Sequence, residues 1–110
     1  MSFGKMNKLV DIVEPLVVKD DEGISHIEDI LIASVRAYRE GRHGSEVWAN
    51  RSTFSEATDL FRFRKLPGIK VTTQMALLLD GSRFEITSVE DVKGRGLYEE
   101  VLAKEVRTSG

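Results

Sequence analysis

The chain has 110 residues, of which 41% are apolar and 31% charged, and sixteen basic against eighteen acidic side chains give a formal charge of -2. This length suits one small domain over residues 1–110 with a single core, and the near-balanced charge excludes a bulk attraction to nucleic acid or anionic lipid. There is no cysteine, so disulfides, thiolate metal sites and cysteine nucleophiles are excluded; the longest apolar runs are too short to cross a bilayer, so no membrane is expected as a partner.

Residues 1–7 are polar and glycine-containing and are expected to form a loose terminus, as are residues 108–110; no apolar signal region occurs in Met1 to Lys8. The first strand signal is Leu9 to Glu14, continuing as Leu16-Val17-Val18 beyond Pro15. A proline inside such a run predicts a break at Pro15, on an edge or at a bulge. Asp20-Asp21-Glu22-Gly23 predicts an acidic turn, because it lacks the alternating oxygen ligands and closing glutamate of a calcium loop.

Ser25–Glu40 carries two incompatible signals. Ser25 and Glu28 match a capping box, and Ile27, Ile30, Leu31, Ser34, Val35 and Tyr38 recur at helical spacing. Yet the segment is rich in β-branched residues, and Leu31, Ala33, Val35 and Ala37 alternate as one strand face. Arg39 to Gly44 is charged and glycine-bounded, which predicts an exposed loop containing Arg39, Arg42 and His43. Ser45 and the residues through Asn50 predict an N-cap and a short helix that carries Trp48, an expected core or interface anchor.

The clearest local signals lie between Ala57 and Val89. In Leu60-Phe61-Arg62-Phe63-Arg64 the two-residue strand period sends both phenylalanines to one face and both arginines to the other, where they are candidates for an interface. Pro67-Gly68 has the composition of a type II turn. Met75 to Leu79 and Ser82 to Thr87 flank Asp80-Gly81, which predicts a type I′ hairpin with Leu77, Leu79, Phe84 and Ile86 turned to the core. Glu90 to Gly96 is expected to be a charged loop with Lys93 and Arg95 at its tip. Leu97–Val106 fits a helix face through Leu97, Tyr98, Val101, Leu102 and Val106, and a strand less well.

The sequence has no phosphate-binding glycine loop, no H-E-x-x-H and no G-x-S-x-G. His26 and His43 have no metal-motif spacing, and neighbouring carboxylates such as Glu99-Glu100 point to opposite faces of a strand. No catalytic residue, cofactor or metal is therefore assigned. The residues read as a binding or assembly module.

Taken in order, VRAYREGRHGSEVWAN, LFRFR, MALLLDGSRFEITSVEDV and LYEEVLAKEV resemble the small head-tail joining, or head-closure, proteins of tailed bacteriophages, most nearly the version in PBSX-type prophages of Bacillus. That family has a strand entering a variable loop and short helix, an F-x-[IF]-R strand, a hydrophobic-D-G-x-x-[YF]-x-I hairpin, a charged loop and a final strand. The acidic Asp20-Asp21-Glu22 turn and the helical signal in Ser25–Glu40 depart from many members.

The resemblance implies a mainly β fold, a small antiparallel barrel or rolled sheet of about six strands with one short helix, so that both ambiguous segments become strands. It also implies a non-enzymatic part in virion assembly, within a homo-oligomeric ring that closes the head and receives the tail. The partners would be connector or adaptor and tail proteins, with non-specific contact to packaged DNA, first in the host cytoplasm and then in the particle. Arg39, Arg42, His43, Lys93 and Arg95 would be channel or partner loops, and Trp48, Arg62 and Arg64 interface residues. The alternative reading is a small β-barrel that binds nucleic acid or protein outside any virion.

Overall fold

The computed structural model describes residues 6–41, 56–94 and 96–106. Six strands run β1 (Lys8–Lys19), β2 (Ser25–Gly41), β3 (Asp59–Arg64), β4 (Ala76–Leu79), β5 (Ser82–Asp91) and β6 (Tyr98–Val106). All pairings are antiparallel, in the order β1-β2-β3-β6-β5-β4, and β4 pairs back onto β1 to close the sheet into a ring. The ring protects the strand edges where it closes. A single 3-10 turn, Val92–Gly94, follows β5, and the short helix expected at Ser45 to Asn50 lies outside the described residues, as do residues 1–5 and 107–110.

Both ambiguous segments are strands. In β2, Val35 and Ala37 enter the core while Arg36 stays exposed, the two-residue alternation of a sheet. Ser25 is paired with Lys19 and Glu28 with Leu16, so the residues of the apparent capping box serve the β1–β2 ladder instead. Helical spacing here yields to pairing, with β1 along Ser25–Ala37 and with β3 along Ala37–Gly41.

The core holds Val10 and Ile12 of β1, Phe61 and Phe63 of β3, Leu77 and Leu79 of β4, Phe84 and Ile86 of β5, and Val101 and Ala103 of β6. Phe61 and Phe84 meet edge to face with ring centroids 5.1 Å apart. All four residues expected to line the core from the β4–β5 hairpin do so. Its turn has φ of 51° at Asp80 and 81° at Gly81, the double positive value of a type I′ turn. Gly68 also has positive φ, and Ile69 N–H donates to Leu66 C=O across the expected Pro67-Gly68 turn.

Three boundaries differ from expectation. β1 runs unbroken through Pro15, and its register shift falls earlier, between Ile12 and Val13. Pro15 is tolerated because β4 pairs with β1 only as far as Val13, leaving one edge of β1 open beyond it. Arg39 and Glu40 belong to β2, and Glu90 and Asp91 to β5, so both strands run further into the charged segments than composition suggests. The second register shift, between Ile86 and Ser88, leaves Thr87 unpaired, and its hydroxyl donates to Leu102 C=O at 3.0 Å.

Candidate functional site

Alternation along β3 places Arg62 on the outer face, next to Glu100 of β6 in the β3–β6 register. Arg62 Nε donates to Glu100 Oε2 at 3.1 Å, and its Nη2 donates to the same oxygen. The guanidinium also lies 6.0 Å from the Tyr38 ring centroid, and Tyr38 O–H donates to Glu40 Oε1 at 2.9 Å. Burial first, and then the hydrogen bond to Glu40, raise the Tyr38 phenol above its ordinary range. Beside this group, Leu60 and Ala57 are buried under Tyr38 and Leu102, so part of the outer face is itself packed.

Arg39 occupies the inner side of β2, not an open loop. Its Nε donates to Asp59 Oδ2 at 2.8 Å and its guanidinium lies 5.2 Å from the Phe84 ring centroid. Asp59 is buried and also accepts a 2.7 Å hydrogen bond from Thr58 O–H. This is a structural pair at the point where the chain leaves β2.

At the opposite end of the β3–β6 pair, Glu99 turns inward. It lines a cleft of about 360 Å³ with Lys65, Ile69, Lys70, Val71, Val89 and Asp91. Glu99 is 6% exposed. Desolvation raises its carboxyl above the ordinary range, Asp91 adds to the rise, and Lys65 opposes it. Glu99 and Glu100 thus enter opposite faces, as strand alternation requires, and both are buried.

Beyond Val13 and before Ile30 the two strands β1 and β2 pair only with each other and leave the ring as an arm. Its tip is preformed: Asp20 Oδ1 accepts from Glu22 N–H and Ile24 N–H, both at 2.9 Å, and Gly23 has positive φ. At its base, Asp29 is tied to Arg83 of β5. Leu16, Val17, Ile24 and Ile27 are exposed along it, with Val17 and Ile27 cross-strand partners at 70% exposure each.

A second exposed surface lies on the outer face of β1, β2 and β3. Leu9 pairs with Arg36, and Arg36 and Arg64 both flank the last β2–β3 pair, Ala37 with Phe63, so the two arginines share one row. Both are exposed. Neither makes an ion pair with a described residue.

The expected site residues therefore separate. Arg39 is engaged by Asp59, Arg62 is only 15% exposed and engaged by Glu100, and Arg64 is open. Arg42, His43, Trp48 and Arg95 lie outside the described residues, and Lys93 falls in the 3-10 turn. That turn and the departure from β2 at Gly41 are not adjacent: Asp91 aligns with Glu99, whereas Gly41 aligns through Asp59 with Ala103, about 13 Å further along β6. The sequence reading missed the arm and the Arg36 row. Neither had a local signal, since the apolar residues on either side of the acidic turn read as core strands and their exposure follows from where β4 stops pairing with β1.

A family model described as phage head completion protein matches residues 1–106. The fold is similar to a chain in the virion of a native gene transfer agent particle, with TM-score 0.56 and 20% identity, covering 93% of this chain and 96% of that one. It is also similar to the solution structure of protein SF1141 from Shigella flexneri 2a, with TM-score 0.69, 14% identity and 96% of each chain covered. No curated protein matches the sequence. At these identities the two structures speak for the fold, and the match along nearly the whole chain speaks for the family. The chain belongs to the phage head completion protein family, with a structural role in virion assembly.

Proposed function

We propose that the chain is a component of the head-tail connector, forming a homo-oligomeric ring that closes the filled head and presents a docking surface to the tail. The family match over residues 1–106 carries this reading. Copies form the ring in the host cytoplasm, contact the connector or adaptor proteins on one side and the tail on the other, and remain in the particle. Arg42, His43, Lys93 and Arg95 face the channel or these partners, Trp48 anchors an interface, and contact with packaged DNA is through backbone charge without base readout.

A free-standing single-strand binder would need open cations interleaved with exposed aromatics on one face. Among the described residues, the cation that lies over an aromatic ring on the outer face, Arg62 over Tyr38, is engaged by Glu100, which disfavours that reading.

Deleting the gene in a phage and supplying the protein in trans tests the role. The expected result is filled heads that lose DNA and lack tails without the protein, and tailed infectious particles with it. Normal particle yield in the deletion, without complementation, overturns the connector reading.

A further inference from the structure

The arm exposes apolar side chains on both of its faces: Val17 and Ile27 on one, Leu16 on the other, with Ile24 at the tip. A two-stranded ribbon has too little to bury on its own, and a preformed tip with outward apolar residues needs a surface to cover it. The arm is also acidic, with six carboxylates between Glu14 and Asp29 against the one lysine, Lys19. Asp29 is used by Arg83, Glu28 by His26, and Asp20 by the turn backbone. Glu14, Asp21 and Glu22 make no ion pair with a described residue.

The outer face of the same chain offers the complement. Arg36 and Arg64 each follow directly on the last β2–β3 pair, Ala37 with Phe63, so two exposed like charges stand at that end of the pairing and favour an anion between them. Exposed Leu9 flanks Arg36 across the β1–β2 ladder, so the cations sit beside an apolar contact point. The arm cannot reach this patch on its own chain. Glu28 and Arg36 lie on the same strand, about 25 Å apart along β2.

We infer that the arm of one copy docks on the Leu9, Arg36 and Arg64 face of a second copy, with Val17 and Ile27 against Leu9 and the carboxylates of Asp21 and Glu22 against the two arginines. The contact is heterologous, since each copy gives one arm and one face, and such contacts either close into rings or extend into filaments. The inference rests on the ring proposed above and names the surfaces that build it.

The absence of cysteine allows disulfide trapping in full-length protein. V17C copies mixed with L9C copies under mild oxidation should give the V17C–L9C dimer in clear excess over V17C–V17C. Charge reversal by R36E/R64E in the L9C copy should reduce trapping at least tenfold, and D21K/E22K in the V17C copy should restore it. Circular dichroism and unfolding midpoints confirm that each variant is folded. Trapping that is no greater than V17C–V17C, or that ignores charge reversal, overturns the inference. So does cross-linking of V17C in assembled particles to a different virion protein. If complementation succeeds with L9C/V17C chains while the trap stays empty, the arm contact fails and the connector role stands. Failure of wild-type complementation bears on that role instead.

Discussion

Arg62 donates twice to one oxygen of Glu100 across the β3–β6 ladder, and the carboxylate is the more deeply buried partner. Removing either member withdraws both hydrogen bonds from the other, and the cost follows how far the remaining charge lies from water. Arg62→Ala should therefore lower stability by about 1–3 kcal/mol, and Glu100→Ala by less, because Arg62 is the more exposed partner and keeps the Tyr38 ring. Replacing both by leucine and methionine should recover most of the loss. Denaturant unfolding of the two single variants and the double variant measures the cycle, and equal losses in the single variants would count against the burial argument.

Glu99 gives a pH signature of opposite origin. Its folded carboxyl is raised by desolvation and by Asp91, so its charged form is disfavoured in the folded state. The contribution of Glu99 to stability is full below the ordinary carboxylate range and is lost as pH rises through the raised folded value. Glu99→Gln should thus stabilise the fold at neutral pH, with the difference from wild type shrinking to nothing in acid. A gain that is independent of pH would place the effect outside this titration.

The turn at Asp80-Gly81 is the most local prediction. Gly81 has φ of 81° and open space around a built Cβ, so backbone strain alone opposes a side chain there. Gly81→Val should lower the unfolding midpoint, while Asp80→Asn should be nearly neutral because asparagine accepts positive φ. Comparable midpoints for wild type and Gly81→Val would remove the type I′ geometry.

In the core, Phe61→Ala removes a fully buried ring and its edge contact to Phe84, at a cost of about 3–5 kcal/mol. For a small domain that is a large part of total stability. The expected readout is a collapsed thermal transition, and a shift of only a degree or two would contradict the burial of this ring.

What was legible in the sequence was whatever two or five neighbouring residues decide. Asp80-Gly81 sets its own turn, and the alternation of Phe61 and Phe63 with Arg62 and Arg64 sets its own faces. Ser25–Glu40 was not legible, because its apolar residues satisfy both periods and only pairing with β1 and β3 chooses between them. Arg39 looked like loop because its partner, Asp59, is twenty residues away in sequence and is adjacent only through the β2–β3 register. The arm was hidden for the converse reason: its residues read as ordinary core strands, and only the point where β4 stops pairing, at Val13, leaves them exposed.

That placement of Arg39 separates structural from functional arginines. Arg39→Ser leaves the buried Asp59 carboxylate with the Thr58 hydroxyl as its side-chain donor among the described residues and uncovers the Phe84 ring, so it should cost about 1–3 kcal/mol. Any assembly defect in that variant should scale with lost fold and be relieved at low temperature. The triple variant R42S/K93S/R95S should behave differently: an unchanged unfolding midpoint together with fewer filled, tailed particles in the complementation assay, since these residues are proposed to act on neighbours and DNA. Full particle yield from the triple variant would remove these residues from the mechanism. A lowered midpoint would instead show that one of them is tied into the fold as Arg39 is.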